Sequence, residues 1–350
     1  MTILGIETSC DETGAAVLST SNNRLTLLAN SLSSSIALHS TTGGIIPEVA
    51  AREQLRYIIP VIKEALKKGL SYDLGSPKPP PLDAIAVTYG PGLIGSLLVG
   101  VETAKTLSLV WNKELIPINH LYGHIYANWL QYSNIYLPAI ALVISGGHTD
   151  LVYLRQHNDI TVIGGTRDDA AGEAFDKIGR LLNLPYPAGP AISHLAEKGN
   201  AHAFDLPRPM IRSHDFDFSF SGLKTAVLNL VKKNKWEFHD PKFVSNNKQI
   251  LYDLCASVQQ AIIDVVVIKT LKAAKKYRVR SILLGGGVAA NKKLKEDLQM
   301  AVKENLQKTD LFIPPKEFCT DNGAMIAAAA VFTPFRSSWK SLSVDPELYY

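Results

Sequence analysis

Two stretches far apart in this sequence follow one plan, and that plan narrows the folds open to the chain. Residues 2–7 and 14–19 are apolar runs, the second carrying Ala15-Ala-Val-Leu18, joined by the polar turn Glu7-Thr-Ser-Cys-Asp-Glu-Thr13. Pro138–Ile144 is a continuous apolar run that turns at Ser145-Gly-Gly-His148 and resumes as Leu151–Leu154. Short apolar runs bounded by Gly, Ser, Thr and Asp read as buried strands joined by turns. The two segments share little sequence identity, so the plan suggests an internal duplication without showing it.

Helical signals alternate with these strands. Glu48–Gly69 carries Val49, Leu55, Ile58, Ile59, Ile62 and Leu66 at helical spacing, with Pro47 in the first turn and Gly69 as the stop. Pro60 within it predicts a kink or a split. Leu25–Ser34 is a third strand, followed by the polar loop Thr41–Gly44. Ser76–Pro81 is a surface linker. Leu82–Thr88 is a buried strand leading through Gly90-Pro-Gly-Leu-Ile-Gly-Ser96 into a helix that runs to Leu109. Further on, Asp168–Asn183 is helical, Leu184–Gly189 is a loop, and residues 205–222 are irregular and exposed. Ile250–Tyr277 is a long amphipathic helix. Ser281–Asn291 holds a strand, a glycine turn and the start of a helix. Asp321-Asn-Gly-Ala-Met-Ile-Ala-Ala-Ala-Ala330 opens a last helix of small residues with an acidic group at its start. This alternation predicts an α/β fold in two similar lobes, divided as 1–130 and 131–350, where the C-terminal helix could pack back on the first lobe. Ligands in such folds collect at the carboxyl ends of the strands.

A chain of 350 residues suits two lobes, and 46% hydrophobic with 19% charged residues suits a packed globule. The net charge of +4 permits a polyanionic partner without indicating one. The doublets Lys67-Lys68, Lys232-Lys233, Lys275-Lys276 and Lys292-Lys293 are in the first place solvated helix faces. Cys10, Cys255 and Cys319 are widely spaced and odd in number, which predicts neither a disulfide framework nor a metal knuckle and fits a reducing cytoplasm. The N-terminus runs straight into a strand, so no presequence is expected. No run reaches about 18 uninterrupted apolar residues, so no membrane span is expected either.

Three Gly- or Ser-rich turns follow strands: Glu7–Thr13, Ser145–His148 and Gly285–Asn291. Exposed backbone N–H groups in such turns suit phosphate, although none is a Walker or dinucleotide sequence. His120 and His124 open the segment Pro117–Leu130, where one helical turn stacks their rings about 5–6 Å apart at Cβ. Alone, the pair is as much an ordinary polar pair as a ligand pair. Asp321, at a strand-to-helix turn, is open to two roles, a third ligand or a helix cap. Two imidazoles and a carboxylate leave coordination positions for water or substrate. The residues between the histidines are Leu121, Tyr122 and Gly123, so the glutamate base of a peptidase is missing. Asp176 suits a salt bridge or ribose hydroxyls, and Asn291 suits an N-cap or a nucleotide contact.

Eight blocks in order resemble one family. They are Ile6-Glu-Thr-Ser-Cys-Asp-Glu-Thr13, Gly90-Pro-Gly-Leu93, His120-x-x-x-His124, Ser145-Gly-Gly-His148, Asp168-Asp-Ala-Ala-Gly-Glu-Ala-Phe-Asp-Lys177, Phe218-Ser-Phe-Ser-Gly-Leu-Lys224, Gly285-Gly-Gly-Val288 with Asn291, and Phe318-Cys-Thr-Asp-Asn-Gly323. The chain resembles the TsaD family of tRNA threonylcarbamoyladenosine transferases, once labelled glycoproteases. The resemblance implies a two-lobed actin/Hsp70/sugar-kinase-like (ASKHA) fold with a nucleotide cleft between the lobes. It implies transfer of threonylcarbamoyl from threonylcarbamoyl-AMP to N6 of the adenosine beside the anticodon of tRNAs reading codons that begin with A, forming t6A and releasing AMP. It further implies one divalent metal, iron(II) or zinc, on His120, His124 and Asp321. Substrate contacts would come from Val143, Ile144, Ser145, Gly146, Gly147, Asp176, Gly189 and Asn291, with ATP or ADP admissible in the same site. Partners implied are the tRNA anticodon loop and, by analogy with the bacterial branch, TsaB and TsaE, with TsaC-type enzymes making the adenylate. With tRNA as substrate, the basic doublets become candidate contacts. The chain departs from archaeal and eukaryotic members at Val143, where those carry tyrosine, and from bacterial ones at Ala188, where those carry glycine.

No catalytic base follows from the sequence, and Asp11 and Glu12 are the carboxylates nearest to hand. An ATPase or kinase of the same fold, a metallopeptidase, and a non-catalytic paralogue such as TsaB are the competing readings.

Overall fold

The computed structural model describes residues 1–21 and 24–350. The chain forms two compact units, one of Met1–Ile135, Gln156–Ile160 and Pro314–Tyr350, the other of Tyr136–Arg155 and Thr161–Ile313. The sequence boundary at 130/131 thus falls at 135/136, and the last stretch belongs to the first unit. The segment that covers the first sheet is supplied from the far end of the chain.

The first unit begins with strands β1 (Thr2–Glu7), β2 (Glu12–Ser21) and β3 (Arg24–Ser34), then helices α1 (Ile36–Thr42) and α2 (Pro47–Leu70). Strand β4 (Ala84–Gly90), helix α3 (Ile94–Trp111), strand β5 (Glu114–Asn119) and helix α4 (His120–Tyr126) follow. The second unit holds β6 (Ala139–Ile144), β7 (Thr149–Gln156), β8 (Asp159–Gly165), α5 (Ala171–Leu181), α6 (Ala188–Ala196) and α7 (Ser221–Asn234). It continues with α8 (Pro241–Asn246), α9 (Lys248–Tyr277), β9 (Ser281–Gly285), α10 (Lys292–Asn305) and β10 (Asp310–Phe312). The chain then returns to the first unit for α11 (Lys316–Cys319) and α12 (Gly323–Phe332).

The strand orders are β3-β2-β1-β4-β5 and β10-β9-β6-β7-β8. In each, a central strand has its hairpin partner antiparallel on one side, β2 on β1 or β7 on β6, and a later strand parallel on the other, β4 or β9. Read from opposite ends, the two sheets have the same order. The repeated strand–turn–strand plan of the sequence is therefore repeated in topology.

Successive β1 side chains point to opposite faces. Leu4 and Ile6 join Ile58, Ile62 and Leu66 of α2 and Val101 of α3 in one apolar layer. Ile3 joins Ile116, Ile118 and the small residues Ala327–Ala330 of α12 in the other. The closest approach is at glycine. A Cβ on Gly5 would overlap the carbonyl oxygen of Gly323, and one on Gly323 would lie 2.6 Å from the Ala15 carbonyl carbon. Only the absence of side chains lets α12 lie this flat on the hairpin.

Several local expectations are corrected. Pro60 neither ends nor splits α2, which is continuous over 24 residues. Pro60 and Arg56 are both exposed, so water can take the carbonyl that the proline leaves unbonded, while buried Ile58, Val61 and Ile62 hold the helix down. The stretch after β3 is not all loop, because α1 intervenes. The helix expected from Asp168 starts at Ala171. In residues 205–222 the aromatics are not exposed: Phe216, Phe218 and Phe220 are buried. Helix α9 is apolar on most of its circumference, with residues from Leu251 to Ala274 in the core, so it is a buried helix and not an amphipathic one. By length and composition α3 and α9 could cross a membrane, and 44% and 78% of their apolar windows are buried within the structure.

Candidate metal centre and glycine turns

Strand β5 ends at Asn119, whose side chain accepts the Leu121 N–H at 2.8 Å and caps α4. The helix therefore starts at His120 and sets His120 and His124 on one face, both buried, with ring centroids 4.7 Å apart and planes at 76°. At the start of α12 the cap is Asn322, which accepts the Met325 N–H at 2.9 Å. Asp321 thus precedes the N-cap residue by one position. Its Oδ1 lies 3.5 Å from His120 Nε2 and 3.3 Å from His124 Nε2.

The candidate ligand atoms of His120, His124 and Asp321 all lie within 4.8 Å of one another. Two ligands each about 2.05 Å from a tetrahedral metal sit ~3.3 Å apart, which the two imidazole–carboxylate spacings match. Both ring nitrogens of His124 are buried without a hydrogen-bond partner. A buried polar atom left so carries an unmet desolvation cost, and coordination at Nε2 meets it. The residues present fit a divalent cation.

The neighbouring turn orients the pair. His120 Nδ1 is 3.1 Å from Glu7 Oε2 and 3.1 Å from Ser9 Oγ. Glu7 is fully buried and accepts from the Ser9 N–H and the Thr88 hydroxyl. A carboxylate on Nδ1–H turns Nε2 toward Asp321. Burial lowers the affinity of His120 for a proton, but the carboxylates of Asp321 and Glu7 outweigh it and raise the pKa to about 9. Burial, then the hydrogen bond and charge of Asp11, then Asp321, push Glu12 up to about 10. Glu12 stands beside buried Asp11. Burial also pushes the Cys10 thiol far up, so it is no thiolate nucleophile.

Besides Glu7, a second contributor escaped sequence reasoning. Gln54 of α2 is buried and its Nε2 lies 3.3, 3.1 and 3.0 Å from the carbonyl oxygens of Thr8, Cys10 and Glu12. It clasps the turn that carries Glu7 and Ser9. The available signal was a polar residue on the stripe Ala50, Gln54, Ile58, Val61, otherwise apolar.

The second unit gathers the other predicted residues in its turns. Val143 and Ile144 are fully buried at the end of β6, so they contribute backbone and not side chains to any ligand contact. The turn after them is closed by the Ser145 N–H on the His148 carbonyl at 2.8 Å. Gly146 and Gly147 face open space. Gly286, at φ +92°, lies against the Ile144 backbone, which brings the β9 glycine turn onto the end of β6. Arg180, one turn on, adds a favourable charge interaction to Asp176. Asp176 accepts the Ala188 N–H at 2.7 Å and so holds the first turn of α6, where Gly189 lies. Burial raises its pKa, against the lowering by the Ala188 and Gly189 N–H groups. Asn291 caps α10 through the Leu294 N–H at 3.0 Å and donates to Gln259 Oε1 at 2.8 Å. An open cavity of about 380 Å³ lies between α6, α9 and α10, lined by Ser193, Glu197, Gln259, Gln260, Lys293 and Glu296. Its volume is within the range of small-ligand sites.

Two sheets of one topology, with glycine turns after their strands, define an α/β protein of the two-lobed ASKHA class. Its fold is similar to crystal structures of full-length HypF in the phosphate- and nucleotide-bound form (TM-score 0.58, 12% identity) and of T. kodakarensis HypF (TM-score 0.58, 14% identity). The matches cover 95% and 94% of this chain, which spans only 46% and 47% of those proteins. The family profile "TsaD: tRNA N6-adenosine threonylcarbamoyltransferase" matches residues 26–328. The Moorella thermoacetica protein of that name is 47% identical over 344 residues, covering 98% of this chain and 95% of its own. The Bacillus subtilis one is 48% identical over 332 residues, covering 94% and 89%. The chain belongs to the TsaD family.

Proposed function

We propose that this protein transfers the threonylcarbamoyl group of threonylcarbamoyl-AMP to N6 of the adenosine beside the tRNA anticodon, forming t6A and releasing AMP. The observation that carries the reading is the His120, His124 and Asp321 set, with both ring nitrogens of His124 buried and without a hydrogen bond, in a chain whose relatives bear that activity as their name. Iron(II) or zinc bound there would supply Lewis acidity toward the carbamoyl carbonyl. Glu7 and Ser9 orient His120 for that task. The N–H groups of Ser145–Gly147 suit the phosphate or the developing oxyanion. Asp176, Gly189 and Asn291 are the adenylate contacts in this reading. Adenine N6 bonds to the carbamoyl carbon, the bond from that carbon to the phosphate oxygen breaks, and N6 gives up a proton. AMP leaves readily, so no protein nucleophile is required. We assign no catalytic base. The tRNA anticodon loop is the partner by this reading, TsaB- and TsaE-like proteins are its companions, and the cytoplasm is its compartment.

The test is labelled threonine, bicarbonate, ATP and unmodified tRNA with the companion enzymes, scored for modified nucleoside. Modification that requires this chain, and is lost in His120→Ala/Asp321→Ala together with bound metal, is expected. Full activity from metal-free protein overturns the metal role. The shared fold favours one second reading, an ATPase or kinase: release of inorganic phosphate from ATP by this chain alone, with no tRNA dependence, would replace the first.

A further inference from the structure

Residues 221–248 carry Lys224, Lys232, Lys233, Lys235, Lys242 and Lys248 against Glu237 and Asp240, an excess equal to the whole chain's +4. Five of these lysines are exposed and Lys224 is half-buried. Among the described residues none of the six has an ion pair, a side-chain hydrogen bond or a ring contact. The contrast is with the end of α9, equally rich in cations but committed. There Lys269 bonds Ser213 Oγ at 2.7 Å, Lys272 bonds the Ser213 and His214 carbonyls, and Lys276 lies over the Phe216 ring.

The six lysines stand on a fixed support. Leu223 and Val227 bury one side of α7, which leaves Thr225, Asn229 and Lys232 outward with no acidic residue among them. Trp236, Phe238 and Phe243 pack ring against ring at 6.0 and 5.6 Å and lock the turn into α8, which Asp240 caps through the Lys242 N–H. The start of α7 is tied down as well, by Ser219 and Ser221 hydroxyls on Asp168. The helix dipole favours Lys232 and Lys233 in the last turn. It offers nothing to Lys224, Lys242 or Lys248. A solvated face ordinarily interleaves both signs, whereas unneutralised cations on a rigid surface are what a phosphate backbone selects through counterion release.

We propose that α7, α8 and the first residue of α9 form the surface that takes the phosphate backbone of the tRNA substrate. This rests on the proposed transferase function. These lysines position the RNA and carry no base recognition.

The test compares Lys232→Glu/Lys242→Glu with the control pair Lys303→Glu/Lys308→Glu, of equal charge change on exposed lysines elsewhere in the second unit. Full-length proteins are assayed for binding of unmodified tRNA transcript across a salt series, and for t6A formation with the companion proteins. The first pair is expected to weaken tRNA binding by roughly tenfold or more and to flatten the log–log salt slope by about one to two. KM for tRNA should rise while kcat at saturating tRNA and the affinity for AMP stay within about twofold, and the control should resemble wild type. Equal tRNA affinity in the first pair and wild type overturns the surface while leaving the function standing. Equal losses in both pairs also overturn it, as does a loss that appears only when companion proteins are present, which would mark a protein-docking face. If wild type neither binds nor modifies tRNA, the transferase reading falls and this surface with it.

Discussion

Glu7 and His120 are joined end to end: a carboxylate oxygen of a residue in the first strand lies 3.1 Å from Nδ1 of the histidine that opens α4. The pair fixes which ring nitrogen faces Asp321, and its removal has a defined consequence. Glu7→Gln keeps the shape but withdraws the charge from Nδ1–H. Metal affinity is expected to fall about 10–100-fold, as is usual for such outer partners. Competition against a chromophoric chelator measures it, and an unchanged affinity would remove Glu7 from the site.

His124 gives a prediction of opposite sign in the metal-free protein. Both ring nitrogens are buried without a hydrogen bond, and Nε2 only faces Asp321 Oδ1 at 3.3 Å, so an apolar replacement relieves a cost. His124→Leu should abolish metal binding yet leave the chelator-treated protein as stable as wild type, or up to ~1–2 kcal/mol more so. Urea unfolding with and without metal distinguishes this from a structural histidine, whose loss would destabilise both forms.

Gln54 should matter at a distance. Gln54→Leu leaves the carbonyls of Thr8, Cys10 and Glu12 without their shared donor, which is expected to cost about 1–3 kcal/mol of unfolding free energy. Because the same turn carries Glu7 and Ser9, metal affinity should fall too. A variant as unstable as predicted but with wild-type metal affinity would separate the clasp from the site.

Asp168 sets a pH dependence. Burial raises its pKa, but the Ser219 and Ser221 hydroxyls and the Phe220 and Ser221 N–H groups outweigh this and hold it below the usual carboxylate range. A depressed folded-state pKa stabilises the protein above the unfolded value of about 3.9, and that contribution is lost as pH falls through the folded value. Asp168→Asn should therefore be less stable than wild type at neutral pH, with the gap closing in acid below about pH 4. Denaturation midpoints at several pH values would show a constant gap if the link to Ser219 and Ser221 contributed nothing.

What the sequence revealed and withheld follows from the range of the interactions. The strand–turn–strand repeat was legible because apolar runs and turn residues are local signals, and both sheets carry it in the same order. The one-turn spacing of His120 and His124 is local too. The approach of Asp321 depends on α12 crossing to the first hairpin, which no spacing encodes, and the family resemblance supplied it. The roles of Glu7 and Gln54 were missed because each acts on residues brought near only by folding. Pro60 and Phe216–Phe220 misled because their environments, solvent for one and core for the other, are set by tertiary packing.

The flat seating of α12 on the first hairpin through Gly5 and Gly323 has a consequence for the order in which a new chain can mature. Met325–Ala330 complete one face of the first sheet, and Asp321 arrives in the same segment. At about 5–20 residues per second of synthesis, the first hairpin and the histidine pair leave the ribosome many seconds before either. Until then that face lacks α12 and the histidines lack Asp321. Closure of the first unit and completion of the three-residue ligand set should therefore coincide, in one event that waits for α12.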